Sequence, residues 1–163
     1  MERAQTIKLA AALALLVAAG WLLWRFFADD GGVSGKAYFY DLSERRLFIG
    51  PRDGIPPIKG LNDAEEDAVR AVVISTNGNP ADKAARRIAY LEKYSPELKR
   101  ELEAARASGT SPAVGRAAAQ AHRFVRRADD PQWYPLTSAE AERIVNEWLT
   151  AGPGGGPAVI CTP

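Results

Sequence analysis

The residues able to do covalent or acid–base chemistry are few and scattered. His122 is the one histidine and Cys161 the one cysteine in 163 residues. A hydrolytic triad needs a base beside a nucleophile, and His122 sits between apolar and basic neighbours in a strand-like run, so it reads as a half-buried or surface histidine. Cys161 is the third residue from the end of the sequence, in what reads as a mobile tail, with no neighbour in sequence to activate its thiol. One Cys and one His cannot supply a structural zinc set. The acidic cluster Asp63, Glu65, Glu66 and Asp67 lacks the spacing and the glycine of a calcium loop. Gly152 and Gly154 to Gly156 follow a helix and precede no Lys-Ser or Lys-Thr pair, which makes them a spacer and not a phosphate cradle. No catalytic residue, cofactor site or metal site is predicted. Carboxylate pairs for sugar chemistry depend on a separation in space that sequence does not give.

Recognition chemistry is better represented. Arg126 and Arg127 stand close in sequence to Trp133 and Tyr134, and arginine and aromatic side chains dominate interface hot spots. In a strand over 122–127, Arg123 and Arg127 share one face and Arg126 takes the other, which divides the cluster. Tyr38 and Tyr40 share a face of an aromatic strand by the two-residue period. Tyr38, Tyr40, Arg126, Arg127, Trp133 and Tyr134 are therefore the candidate partner-binding residues, against the alternative that they serve packing and solubility.

The elements that must hold these residues follow from periodicity and punctuation. Residues 37–42 and 47–49 read as a β-hairpin, with Tyr38, Tyr40 and Leu42 on one side. The stretch from Gly50 to Asp67 is a long loop: either an interaction surface or a proline-pinned cover that tucks Ile55 and Ile58 into the core. Val69 to Ser75 is a valine-rich strand ending at Asn77-Gly78. Asn79-Pro80 reads as a helix start, with Ala84, Ile88 and Leu91 on one face. A second start at Ser95-Pro96 carries the stripe Leu98, Leu102 and Ala105, with Lys99 and Glu103 paired on the outside, and ends at 108–111. Residues 112–121 read as a short alanine-rich helix. The last helix has Thr137 and Glu140 as a capping box, an apolar face of Ala141, Ile144, Val145, Trp148 and Leu149, and a stop at Gly152. Residues 158–161 can return as an edge strand. The expected fold is α+β: an N-terminal transmembrane helix, then three to five mainly antiparallel strands with helices packed on one face.

The transmembrane expectation rests on Leu9 to Trp24, sixteen residues without a charge, flanked by Lys8 and Arg25. With Ile7, Phe26 and Phe27 such a helix reaches roughly 30 Å, the thickness of a bilayer's hydrocarbon core. A cleaved secretory signal, with Ala18 and Gly20 at the cleavage site, is the alternative, and Trp21 to Trp24 continuing the apolar run speak against it. A lipoprotein anchor would need a cysteine at the end of the run. Arg3, Lys8 and the free amine ahead of the span, against Arg25 and Lys36 after it, tip the orientation towards an extracytoplasmic C-terminal domain. The organisation read from sequence is thus an anchor over 1–28, a flexible stalk over 29–36, an α+β domain over 37–151 and a Gly/Pro-rich tail over 152–163. After residue 28 the chain holds eighteen basic and nineteen acidic residues, a balance with no global attraction for nucleic acid.

The Tyr-Phe-Tyr-Asp-Leu strand at 38–42, Ile55-Pro56-Pro57-Ile58, the segment Ala89-Tyr90-Leu91-Glu92 read as helix, Arg126-Arg127 through Asp130 to Trp133, and the closing Cys161-Thr162-Pro163 resemble a group of small, single-span bacterial membrane proteins with no assigned function. That resemblance implies a cysteine pair just after the third strand, where this chain has Thr76 and Asn79, and it brings no catalytic residues. The function expected is a single-pass, membrane-anchored, non-catalytic binding or assembly module for a protein or cell-envelope partner. The alternatives are an envelope enzyme with a carboxylate-based site and an accessory subunit of a larger membrane complex.

Overall fold

A computed structural model describes residues 3–28, 35–62, 64–150 and 157–163, with side chains of the first segment from 12 to 25. Residues 29–34 of the predicted 29–36 stalk, Asp63 and the glycines at 152 and 154–156 lie outside the described residues, and Lys36, placed in the stalk from sequence, opens the first strand. The chain divides into two compact units, Met1–Ser34 and Gly35–Pro163. The described residues of the first form one helix, α1 (Arg3–Ala28), whose described side chains are all exposed, among them Leu13, Leu16, Trp21, Leu23 and Trp24. Among the described residues no helix is long and apolar enough to cross a membrane.

The second unit is an α+β domain around a seven-stranded sheet whose described pairings are all antiparallel. Its strands are β1 (Lys36–Asp41), β2 (Arg46–Pro51), β3 (Ala68–Ser75), β4 (Arg86–Tyr94), β5 (Arg123–Arg126), β6 (Tyr134–Pro135) and β7 (Val159–Ile160). They run in the order β2-β1-β3-β4-β5-β6. β7 lies on the same side of β3 as β1, pairing with Ile74 and Ser75 where β1 pairs with residues 68–70. Three helices complete the unit: α2 (Pro96–Ser108), α3 (Arg116–Ala121) and α4 (Ala139–Asn146).

The hairpin forms as its alternation requires. Tyr38 is buried, and Tyr40 and Leu42 pack beside it against Val69, Ala71, Val73 and Leu91. On the other face Ala141 and Ile144 of α4 close over Val125, with Tyr90, Tyr134 and Val145 around them. Leu98 of α2 is buried as well, and its helix starts at Ser95, whose Oγ accepts from Leu98 N, and stops at Gly109 with φ 65°.

Several expectations change. Residues 86–94 form β4, which shares the middle of the sheet with β3, and not a helix, and together with β6 this raises the strand number above five. The reason is a bulge: Val72 pairs with Tyr90 but Val73 pairs with Ile88, so Ala89 is the extra residue. Ile88 and Leu91 thereby reach the same face three positions apart, a spacing that imitates a helix. The cap there belongs to Asp82, which accepts from Ala84 N at the head of a single 3₁₀ turn. The last helix is capped by Ser138 and not Thr137, and it gives way to a 3₁₀ turn that leaves Leu149 exposed. Lys99 is not an outside residue; it is 9% exposed, donates to the Pro57 carbonyl and pairs with Glu66, both at 2.6 Å. Cys161 is not in a mobile tail. It is 4% exposed within the sheet core, and its amide donates to the Val73 carbonyl at 2.8 Å.

The 52–67 segment is a pinned cover. Ile58 and Ala68 exchange two backbone hydrogen bonds, and Tyr94 N donates to the Pro56 carbonyl. Asp41, fully buried, accepts from Leu61 N at 2.7 Å, Glu44 N at 2.8 Å and Ser43 Oγ at 2.9 Å, tying this segment to the hairpin turn. Burial pushes the Asp41 carboxyl up, but these bonds outweigh it and leave the pKa below the usual carboxylate range.

Candidate functional site

The six residues singled out by sequence separate into two groups with different roles. Arg127 and Tyr134 are structural. Arg127 donates to Glu147 and Glu140, and these bonds raise its pKa. Glu140 also pairs with Arg143, so the guanidinium joins β5 to α4. Tyr134 packs on Val125 and Ala141, and burial raises its hydroxyl pKa. Tyr38 is also withdrawn: it is 8% exposed and its hydroxyl accepts from Arg86 Nη1 at 2.7 Å.

Tyr40, Arg126 and Trp133 come together. Arg126 is the cross-strand partner of Leu91, which puts it on the face opposite α4, as the alternation of β5 predicts. The connection from β5 to β6 folds back through Asp130, whose carbonyl accepts from Arg126 Nη1 at 2.8 Å and whose side chain accepts from Gln132 N. This brings the Trp133 ring beneath two cations, with Arg126 Cζ 4.9 Å and Lys93 Nζ 4.5 Å from its centroid. Burial first, then the Arg126 charge, holds the Lys93 pKa below its ordinary value, and burial does the same for Arg126. Beside this stack a cavity of about 560 Å³ is lined by Tyr40, Leu42, Arg45, Arg126, Asp129 and Pro131. The sheet curls enough that β1 and β5, with two strands between them, wall the same hollow. Leu47, cross-strand from Tyr40, and Ile49, cross-strand from Tyr38, extend the patch along the edge strand at 41% and 54% exposure.

Sequence reading missed Lys93, because residues 86–94 read as helix, and Arg45, which sits in the hairpin turn with φ 52°. It also missed a pairing of His122 with Ser95, Nδ1 to Oγ at 3.0 Å, across 27 residues. Ser95 is 8% exposed, its hydroxyl caps α2 and its amide donates to the His122 carbonyl, so this pair fastens α2 to the start of β5. Neither residue lines the Arg126 cavity. The arrangement around Trp133 offers two cations, a ring and an apolar border, which suits recognition of an acidic or aromatic group. Comparison with known protein families, with curated proteins and with solved structures finds nothing that matches this chain.

Proposed function

We propose that this protein is a membrane-tethered binding module, non-catalytic, whose head contacts a protein or cell-envelope partner through the face that carries Tyr40, Arg126 and Trp133. The observation that carries this reading is the cation-flanked Trp133 ring beside the Tyr40–Arg126 cavity and the exposed Leu47 and Ile49. Two cations held against one ring repel each other and are partly desolvated, and an acidic group from a partner relieves both costs. The tether is α1. Apart from Arg25 at its end, its described side chains are apolar on every side and exposed, a pattern that water does not favour and lipid does. Extended by Ile7, Phe26 and Phe27, the uncharged run from Leu9 to Trp24 reaches roughly 30 Å, about the thickness of a bilayer's hydrocarbon core, and the basic residues ahead of it favour a C-terminal head outside the cytoplasm.

A photo-crosslinking amino acid at position 40 or 45, with position 100 on α2 as the control, tests the face in cells. The expected result is a discrete adduct from positions 40 and 45 that disappears on Trp133→Ala. Equal labelling from position 100, or adducts indifferent to Trp133, refutes the assignment of this face. Carbonate washing tests the tether separately: the full chain is expected to stay in the membrane pellet, and release into the supernatant refutes it.

A further inference from the structure

A second cavity lies on the helix-bearing side of the sheet and is built differently. One row of cross-strand partners crosses six strands: Phe48, Phe39, Arg70, Glu92, Val125 and Tyr134. Apolar side chains are the default on such a row, yet its two central places, on β3 and β4, are an arginine and a glutamate. Above them opens a hollow of about 460 Å³, ringed by the four arginines Arg52, Arg70, Arg106 and Arg123, together with Asp53, Glu92 and Tyr94.

The charges do not cancel. Arg123 is paired with Glu92, its Nε 2.8 Å from Oε1, and stands over the Tyr94 ring at 5.7 Å. Arg106 faces the Asp53 carboxylate at 3.6 Å and donates to the Asp53 carbonyl. Arg70 and Arg52 make no ion pair among the described residues. Arg70 is nonetheless fixed: Nη2 donates to the carbonyls of Arg52 at 2.7 Å and Gly54 at 2.8 Å, and the guanidinium lies 5.4 Å from the Phe39 ring centroid. Its Nε is buried without a partner. A half-buried guanidinium held in place beside a hollow without an ion-pair partner is a costly arrangement. It costs much less when an anion occupies the hollow.

We infer that the cleft between β3, β4 and α2 is an anion site for a small phosphomonoester. Two uncompensated guanidiniums call for a dianion, and a phosphomonoester carries about −1.5 to −2 charges at pH 7 on three acceptor oxygens that arginine forks match in pairs. The hollow falls within the ~300–1,000 Å³ range of small-molecule pockets, large enough for an organic group beyond the phosphate, with Tyr94 and Leu102 as the walls such a group would meet. This site is on the opposite face from Trp133, so its failure and that of the proposed partner face are separate results.

The test is calorimetric titration of the full chain in dodecyl maltoside with glycerol 3-phosphate, inorganic phosphate and succinate. Saturable 1:1 binding of glycerol 3-phosphate is expected, weakened about tenfold by Arg52→Gln and by Arg70→Lys, which is ~1.4 kcal/mol each, and unchanged by Arg126→Gln. Arg52 is exposed, so Arg52→Gln leaves the fold intact and keeps the test decisive should Arg70→Lys unfold. Affinity is expected to fall as pH drops through ~6, where the phosphate takes up its second proton. Nanodiscs containing phosphatidic acid, used as a competitor, separate a lipid phosphate from a free one: competition assigns the site to the headgroup and its absence to a soluble ligand. No saturable binding, succinate binding as tightly as glycerol 3-phosphate, or insensitivity to Arg52→Gln overturns the inference.

Discussion

Replacing Gly60 by alanine should destabilise the domain by about 2 kcal/mol, although the exchange adds only one methyl group. The glycine touches the carboxylate that ties the hairpin to the 52–67 cover. A Cβ there would stand 2.4 Å from Asp41 Oδ2 and 2.7 Å from Asp67 Oδ1. Neither distance is tolerable, so the Asp41 carboxylate must withdraw by most of an ångström. Its shortest bond, from Leu61 N at 2.7 Å, is the first to go. The Asp41 carboxylate is fully buried, and a buried acceptor left without its partner costs about 1–3 kcal/mol, to which weakening of the Glu44 and Ser43 bonds adds. Set against this is a gain of ~0.4–1 kcal/mol, because alanine restricts the unfolded chain. Urea unfolding of the full chain in dodecyl maltoside, followed by tryptophan fluorescence, should show the midpoint lowered by about 1 M for a slope near 2 kcal/mol/M. A double-mutant cycle with Asp41→Ala isolates the cause. Once the Asp41 side chain is gone, the remaining close contact is with Asp67 Oδ1, which accepts no bond, and the one bond its carboxylate does accept, from Ser43 N to Oδ2 at 3.0 Å, is exposed to water, so the alanine at 60 should cost much less there. The expected coupling is about 1–2 kcal/mol. An unchanged midpoint for Gly60→Ala, or an equal penalty in both backgrounds, would refute the argument.

The depressed Asp41 pKa has a signed consequence. Its folded value lies below the unfolded 3.8, so its contribution is complete above that pH and is lost as pH falls through the folded value. Unfolding midpoints measured from pH 5 to pH 2 should fall less steeply in Asp41→Asn than in the unsubstituted protein, and parallel curves would exclude Asp41 as the source. Arg123 and Arg127 lie four residues apart and both are ion-paired, yet they should differ on truncation. Arg123→Ala strands Glu92, whose side chain is 9% exposed, and should cost about 1–3 kcal/mol, whereas Arg127→Ala breaks a partly exposed network and should cost under ~1 kcal/mol. Equal urea midpoints would contradict this. Cys161 should react with a thiol reagent only as fast as the domain opens, and rapid stoichiometric labelling of the folded protein would contradict its burial.

Much of the fold was legible because local chemistry and tertiary demand agree. The hairpin over 37–49 is rich in aromatic and apolar residues on both arms of a polar turn, Ser95-Pro96 both caps and opens α2, and the valine-rich 69–75 run became one of the two central strands. Even the return of 158–161 as a strand could be read from its apolar run after a glycine spacer. Its burial could not, because Cys161 gains its cover from Val73 and Tyr38, far away in sequence. The main error fell on β4. Residues 86–94 carry Ile88 and Leu91 at helical spacing only because one bulged residue, Ala89, resets the strand's phase, and period analysis without a partner strand cannot distinguish the two.

The sites were legible to different depths for a physical reason of the same kind. Arg126 and Trp133 lie seven residues apart on one strand and its connection, so sequence proximity was enough to nominate them. Tyr40 joined them only through the curl of the sheet. The arginine cleft left no local trace: Arg70 sits in a strand that is otherwise apolar but for its last residue, Ser75, Glu92 in a segment read as helix, and Arg52 and Arg106 in a loop and a helix, each arginine unremarkable among twenty-one Lys and Arg residues. Register alone makes Arg70 and Glu92 neighbours, and the choice of Glu92 to pair with Arg123 is what leaves Arg70 uncompensated. A switch of Glu92 to Arg70 would only move the unpaired charge to Arg123, which lines the same hollow, so the excess belongs to the whole set of four guanidiniums facing the carboxylates of Glu92 and Asp53. Glu92 faces one cation too many, and the excess positive charge resides where the hollow opens.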